Sequence, residues 1–146
     1  YNLHVMLRFE LELALTRRRL AVADLPEAWN ARMREFLGVT PPDHASGVMQ
    51  DVHWSAGLFG YFPTYSLGNM LAAQFFRRFA QDQGDVEELF AAGDFAPLLS
   101  FLRRNVHSQG GRFPARELVR RVTGADLAAA PLADYLDEKF GRLYGV

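Results

Sequence analysis

The sequence predicts an all-α protein that folds as one compact unit of about seven or eight helices over residues 1–146. Apolar side chains recur three or four residues apart along most of the chain, which is the spacing of one helix face. Glycines and prolines interrupt these runs where helices would end. Few segments alternate between apolar and polar residues with a period of two, so no β-sheet is predicted.

The composition supports a folded domain and excludes several functional classes. The 146 residues are 49% apolar, which is enough for a core and argues against disorder. The formal net charge of −1 gives no electrostatic signal for nucleic acid or anionic lipid, and no apolar run of about 18 residues predicts a membrane span. The chain has no cysteine, so it has no disulfide framework, thiolate nucleophile or cysteine zinc site. This composition fits an intracellular protein, and we expect a cytoplasmic one.

The first two helices have recognisable ends. Leucines four residues apart predict a helix over about residues 2–20, whose last turn carries three consecutive arginines. The segment DLPE then begins a second helix, with Asp24 as its N-cap and a proline in its first turn. Gly38 ends this helix, and a proline-rich loop follows it.

The remainder of the chain continues the helical pattern after one irregular segment. Residues 48–55 could form a short helix, and a loop containing Gly57 and Gly60 comes next. A long helix is predicted over residues 64–81, where apolar residues stand four apart on one face. Shorter helices, separated by glycines, are predicted over residues 85–92, 95–106, 114–123 and 131–144.

Residues 47–69 form the segment in which functional side chains concentrate. An imidazole (His53) and two phenols (Tyr61 and Tyr65) stand on either side of the glycine-containing loop, and all three can donate to a developing oxyanion. The glycines would let this loop close over a bound molecule. The sequence has no glycine-rich phosphate loop, no GxSxG and no HExxH, and its four histidines are far apart. A complete zinc site within the chain is therefore not predicted.

Each of these residues also has a structural interpretation. His53 could cap or pack against a helix end, and aromatic residues at helical spacing usually belong to the core, to which we assign Phe59 and Phe62. On the first helix, His4, Arg8 and Glu12 stand four apart and could line a cleft. Such a stripe is more typical of a solvated face with an Arg–Glu pair. The arginine doublets at 103–104 and 120–121 are predicted to be surface or interface charges.

One short stretch carries a resemblance to a known family. The segment GVMQDVHW resembles the GxxQDxHW signature of the carboxypeptidase Taq family, the M32 zinc metallocarboxypeptidases, and matches it at every fixed position. The segments YNLHVMLRFELE, DLPEAWN, FGYFPTYSLGNMLAAQFF and YLDEKFGRLYG agree with the same family. The resemblance implies an almost entirely helical, usually homodimeric enzyme that removes C-terminal amino acids one at a time. Its zinc, which activates the attacking water, is held by an HExxH helix and a downstream glutamate.

The resemblance also implies roles for individual residues. His53 would lie near the zinc and bind substrate or stabilise the tetrahedral intermediate. Metallopeptidases of the thimet oligopeptidase type similarly follow a histidine with a glycine-rich loop and tyrosines four apart. By that similarity Tyr65 would be the oxyanion donor and Tyr61 a substrate contact, although the longer loop here leaves open which tyrosine donates. The other motif residues expected on the substrate side are Gln50, Asp51 and Trp54.

The family's HExxH and IRxxAD motifs are not in this sequence, which also lacks an initiator methionine. We therefore expect roughly the C-terminal third of a longer enzyme, inactive alone, with zinc ligands outside this chain. Peptides are the expected substrates, with no nucleic acid or membrane partner. The chain should form a homodimer or pack against the missing N-terminal part, and apolar faces of the first helix and of helix 64–81 should be exposed. The alternative is a free-standing all-α interaction or scaffold domain with no catalytic activity.

Overall fold

The computed structural model describes residues 1–145. Within them the chain forms seven α-helices and three short 3₁₀ turns and contains no strand, so the all-α prediction is confirmed. The helices are α1 (Asn2–Thr16), α2 (Leu25–Leu37), α3 (Pro63–Gln83), α4 (Val86–Ala91), α5 (Ala96–Asn105), α6 (Ala115–Thr123) and α7 (Ala130–Tyr144). Among the described residues, no helix combines the length and the apolar character that crossing a bilayer requires.

The chain divides into two compact units, Tyr1–Leu67 and the residues from Gly68 onward. Helix α3 begins in the first unit and continues into the second. The expectation that residues 1–146 form a single unit without an internal boundary stays a prediction.

Helix α1 ends four residues earlier than the sequence predicted. The amide of Arg19 donates to the carbonyl of Ala14 at 2.8 Å, and that of Arg18 donates to Leu15 at 2.9 Å. This is the hydrogen-bond pattern of a Schellman cap, which requires one left-handed residue. Arg18 takes that conformation, with φ of 57°, where glycine is usual. The three arginines therefore lie at and beyond the end of the helix, and not in its last turn.

Helix α2 has the predicted boundaries but a different start. Asp24 precedes the helix, yet its side chain makes no capping hydrogen bond. It belongs to a 3₁₀ turn, Val22–Asp24, so its backbone already has helical angles (φ −90°, ψ −4°) and not the extended ones of an N-cap that bonds through its side chain. Gly38 ends the helix as predicted, in the left-handed conformation.

The core of the first unit fixes α1 against α2. Leu7 and Leu11 from α1 pack against Trp29 and Met33 from α2, and all four are buried. The loop that follows α2 returns to this cluster, where the ring of Trp54 meets Trp29 edge-to-face with centroids 6.4 Å apart. A rigid helix and an irregular loop therefore meet on one side of this core.

The second unit has a core of its own, built on phenylalanine. Phe79 of α3, Val86 of α4 and Phe101 of α5 are buried together. Helix α4 begins with a side-chain cap, because Asp85 accepts a hydrogen bond of 3.0 Å from the amide of Glu88.

Candidate functional site

The candidate site is built on the loop between α2 and α3, which is irregular where a short helix had been considered. Only a 3₁₀ turn, Val48–Gln50, forms within residues 48–55. The carboxylate of Asp51 accepts a 3.0 Å hydrogen bond from the amide of His53, which in a helix would bond a carbonyl. Aspartate side chains compete with helical hydrogen bonding in this way. The extended backbone at Asp51 (φ −94°, ψ 124°) follows from this competition.

Gly47 precedes the 3₁₀ turn of this loop, at a position where a side chain would be crowded. A Cβ atom at this position would lie 3.0 Å from the Cβ of Pro41 and 3.1 Å from the carbonyl oxygen of Asp43. The preceding part of the loop is thus packed directly against the glycine backbone. The backbone angles of Gly47 (φ −114°, ψ −112°) also lie outside the regions that residues with a side chain favour.

Both carboxylate oxygens of Asp51 are occupied. Oδ2 accepts from Nε of Arg8 at 2.5 Å, and Oδ1 accepts from the ring Nδ1 of His53 as well as from its amide. Burial would raise the pKa of Asp51, but the hydrogen bonds from the His53 amide and from Arg8 outweigh burial and lower this pKa. Asp51 is therefore ionised at neutral pH and holds the imidazole from one side.

The other side of the imidazole faces Tyr65. Nε2 of His53 lies 2.9 Å from the Tyr65 hydroxyl. The ring also packs on Phe62, with centroids 4.9 Å apart, and on Tyr61 at 5.7 Å. The side chain of His53 is 20% exposed, so the group is shielded but reachable. Partial burial, assisted by Tyr61, raises the pKa of Tyr65, which keeps its hydroxyl protonated.

Glu12 of α1 holds the same loop at two further points. One of its carboxylate oxygens accepts from the indole nitrogen of Trp54 at 2.9 Å, and the other accepts from the amide of Gly60 at 2.6 Å. The residue is only 5% exposed. Gly60 has φ of +73°, a conformation that side chains disfavour, and its amide is thereby directed at the carboxylate. Buried carboxylates are stable when they accept hydrogen bonds in this way.

The structure brings some of the predicted site residues together and places others apart. His53, Tyr65 and Asp51 form one hydrogen-bonded chain, with Tyr61 beside it and 41% exposed. Trp54 turns away from this chain toward Glu12. Gln50 is exposed, and its amide nitrogen donates to the carbonyl of Ala45.

Two sequence interpretations near the site are wrong. Arg8 and Glu12 do not pair with each other on a solvated face, because each bonds the loop instead and both side chains are largely buried. Phe62 is buried as predicted, but Phe59 is 61% exposed. The spacing of Arg8 and Glu12 four residues apart was thus a signal of the site, although the sequence pattern favoured a solvated face.

No group of three or more histidine, cysteine, aspartate or glutamate side chains that could hold a metal ion occurs within residues 1–145. The histidines nearest the site are engaged otherwise. His53 uses both ring nitrogens as described, and Nδ1 of His4 contacts the guanidinium of Arg8. Burial and the charge of Arg8 lower the pKa of His4. The residues described here therefore do not form a metal site by themselves.

Comparison with known proteins identifies the family. The model of the carboxypeptidase Taq (M32) metallopeptidases matches residues 1–140. The chain therefore belongs to this metallopeptidase family, and the resemblance seen in the sequence is confirmed. Because the family is one of metallopeptidases, its members use a metal.

Individual relatives agree with this assignment. Thermostable carboxypeptidase 1 of Thermus thermophilus is 54% identical over 145 residues, which are 99% of this chain and 28% of the relative. Carboxypeptidase 1 of Bacillus subtilis is 40% identical over 99% of this chain and 29% of its own length. The crystal structure of the M32 carboxypeptidase from Deinococcus radiodurans R1 superposes with a TM-score of 0.96 at 44% identity, covering 100% of this chain and 30% of that one. The chain thus spans less than a third of the length of these relatives.

Proposed function

We propose that the full-length protein carrying this sequence is a zinc-dependent carboxypeptidase. We further propose that the three hydrogen-bonded side chains of Asp51, His53 and Tyr65 face its peptide substrate. The observation that supports this most is the 2.9 Å contact between Nε2 of His53 and the Tyr65 hydroxyl, inside the segment that carries the family signature. The relatives named carboxypeptidases favour this proposal over a scaffold domain without catalytic activity. Zinc is the metal we propose, with ligands from parts of the family fold outside these residues.

The chemistry of this pair is that of hydrogen-bond donation to an oxyanion. Nδ1 of His53 faces a carboxylate and therefore carries a proton. When the ring is neutral, Nε2 accepts a hydrogen bond from the Tyr65 hydroxyl; when the ring is protonated, Nε2 donates one. When the ring is protonated, an oxyanion within reach of both groups would replace their mutual bond with one bond from Nε2 of His53 and one from the Tyr65 hydroxyl. Donors aimed at charge that develops in the transition state accelerate the reaction without tightening substrate binding equally.

Tyr61 is proposed as a contact to the substrate. Its ring stands edge-on to Tyr65, with centroids 5.3 Å apart, and it is more exposed than either partner of the His53–Tyr65 pair. The predicted contacts of Gln50, Asp51 and Trp54 with substrate stay predictions. So do the homodimer, the packing against an N-terminal part and the cytoplasmic location.

The test is kinetic and uses the full-length protein that carries this sequence. His53→Ala and Tyr65→Phe should each lower kcat/KM on a blocked dipeptide by about 100-fold, mainly through kcat, because each removes one donor. The double variant should lose much less than the product of the two, since the groups are bonded to each other. Tyr61→Phe should lower kcat less than Tyr65→Phe does. Tyr135→Phe removes an exposed hydroxyl that bonds Lys139, far from this loop in sequence, and serves as the control. Values for both site variants within about threefold of the wild type would refute the assignment.

A further inference from the structure

The guanidinium of Arg8 joins helix α1 to the Asp51–His53–Tyr65 chain. We infer that Arg8 is a positioning residue: it fixes the orientation of the Asp51 side chain, so that an acceptor oxygen faces Nδ1 of His53 and Nε2 is directed at Tyr65. The inference rests on the proposed function of His53 for its catalytic meaning. Its structural content can be tested without activity.

Arg8 is held from several directions, as a fixed anchor must be. Its Nε donates to Oδ2 of Asp51 at 2.5 Å, and one terminal nitrogen donates to the carbonyl oxygen of His4 at 2.8 Å. The guanidinium carbon lies 4.7 Å from the centroid of the Trp29 ring, which is a cation–π contact. The side chain is only 12% exposed. Because α1 is packed on the hydrophobic core, this anchor is tied to the rigid part of the unit.

The loop needs such an anchor because it has little regular structure. Asp51 follows a single 3₁₀ turn, and within the loop its carboxylate is restrained by two bonds to His53. Those bonds both use Oδ1, so neither of them restrains Oδ2, which they leave free to move. The bond from Arg8 to Oδ2 removes that freedom. A carboxylate only accepts, so Nδ1 of His53 carries a proton, and with the carboxylate fixed Nε2 is directed at Tyr65.

The chemistry of arginine makes the inference specific. A guanidinium has donors only and is never deprotonated in proteins. In Asp51→Asn the guanidinium and the His53 backbone amide, both donors only, compete for the single amide oxygen. The charged guanidinium is the stronger donor and takes the oxygen, which turns the amide NH₂ toward Nδ1 of His53. Nδ1 must then accept, so the proton moves to Nε2 and the ring adopts the opposite tautomer. Removing Arg8 from the same variant frees the amide to rotate, and its oxygen can again accept from Nδ1.

Nitrogen NMR of the His53 imidazole ring, in the full-length protein that carries this sequence, provides the test. The wild type should show Nδ1 protonated in the neutral ring, Asp51→Asn should show Nε2 protonated, and Asp51→Asn combined with Arg8→Gln should recover the Nδ1 form in a substantial fraction. Arg32→Gln in the Asp51→Asn background is the matched control, because the Arg32 side chain is 40% exposed and pairs with Glu10 and Glu35. It should leave the Nε2 form unchanged. Persistence of the Nδ1 tautomer in Asp51→Asn, or no recovery on removing Arg8, would overturn the inference.

Kinetics of the full-length protein separate this inference from the proposed function. Arg8→Gln should lower kcat by about tenfold or more with a smaller change in KM, as partners that orient a catalytic histidine do. Arg8→Lys should recover part of the loss, because it keeps the charge but not the planar arrangement of donors. If His53→Ala abolishes activity while Arg8→Gln retains wild-type kcat, the positioning role is wrong and the proposed function stands. If both variants retain activity, the proposed function is wrong, and the tautomer measured by NMR still decides the role of Arg8.

Discussion

Replacing Glu12 with glutamine should destabilise the first unit far more than its small chemical change suggests. Glutamine has the same shape but one acceptor oxygen where glutamate has two. In the native structure both oxygens of Glu12 accept, from Trp54 at 2.9 Å and from Gly60 at 2.6 Å. The variant therefore loses one hydrogen bond to a charged acceptor and directs an NH₂ group at an N–H donor. A charged hydrogen bond contributes about 1.5–3 kcal/mol and an unpaired buried donor costs about 1–3 kcal/mol, so we expect a loss of about 3 kcal/mol in the free energy of unfolding.

Urea unfolding followed by tryptophan fluorescence measures this loss directly. Both tryptophans, Trp29 and Trp54, lie in the first unit, so the signal reports the unfolding of the unit that contains Glu12. Glu35→Gln is the matched control, because this glutamate is 58% exposed and its salt bridge to Arg32 is on the surface. Its replacement should cost less than about 1 kcal/mol. If Glu12→Gln lowers the free energy of unfolding no more than the control does, the conclusion that buried Glu12 holds the loop through both carboxylate oxygens is wrong.

A double-mutant cycle with Trp54→Phe sharpens the same prediction. Phenylalanine removes the indole donor but keeps an aromatic ring against Trp29 and Phe62. If the carboxylate of Glu12 and the indole interact as described, the two substitutions should be non-additive by about 1 kcal/mol or more. Additive losses would show that the two residues stabilise the unit independently.

Three further predictions concern Asp51, the pair Gly60 and Gly68, and Gln74. The stabilisation from Asp51, whose folded-state pKa is lowered by hydrogen bonds that outweigh burial, is fully present above its unfolded pKa of about 3.9 and is lost as the pH falls through the folded value. The difference in unfolding free energy between wild type and Asp51→Asn should therefore shrink on acidification from about pH 5 to pH 3. A methyl group added at Gly60 or at Gly68 meets no atom within 4 Å, so only the backbone conformation matters. Gly60→Ala should cost about 1–2 kcal/mol of unfolding free energy because its backbone is left-handed. Gly68→Ala within α3 should stabilise by about 0.5–1 kcal/mol. Gln74→Leu should cost about 2–3 kcal/mol, because buried Gln74 donates to the carbonyl of Asp126 at 2.9 Å and accepts from the amide of Ala128 at 3.2 Å.

Equilibrium urea unfolding monitored by circular dichroism measures each of these effects, and each has a contradicting result. The role of Asp51 is wrong if the difference between the wild type and the Asp51→Asn variant stays constant or grows as the pH falls. The glycine argument fails if both alanine variants change stability in the same direction. For Gln74, the exposed Gln83 at the end of α3 gives the control, and equal losses for the two leucine variants would contradict a buried network.

The sequence predicts the fold well because its helices are encoded locally. Apolar spacing located the seven helices of the described residues, and the glycine after α2 and the aspartate before α4 mark the ends that the structure shows. The exceptions have identifiable causes. Helix α1 stops at Thr16 because Arg18 takes a left-handed conformation, for which the sequence has no glycine to give warning.

The site was harder to predict because it depends on contacts between residues far apart in sequence. His53, Tyr61 and Tyr65 stood out by residue type, and the family signature gave them roles. The pairing of Asp51 with His53 could not be derived from a helical pattern, since residues two apart on a helix do not face each other. It exists because the loop is not helical. Arg8 is 43 residues from Asp51, and no local rule joins them.

The arrangement explains why α1 carries polar residues at positions 4, 8 and 12 while Leu7 and Leu11 are buried beside them. A helix rises about 6 Å over four residues, so Arg8 and Glu12 present two charges at a fixed spacing along one face. Arg8 bonds Asp51, and Glu12 bonds Trp54 and Gly60, so these contacts fall on both sides of His53 in the loop. The charges are opposite in sign because the loop presents a carboxylate at one point and N–H donors at the others. Helix α1 packs on the core through its apolar face, and its polar face fixes the conformation of an irregular loop. His53 lies between the two places in the loop that α1 holds.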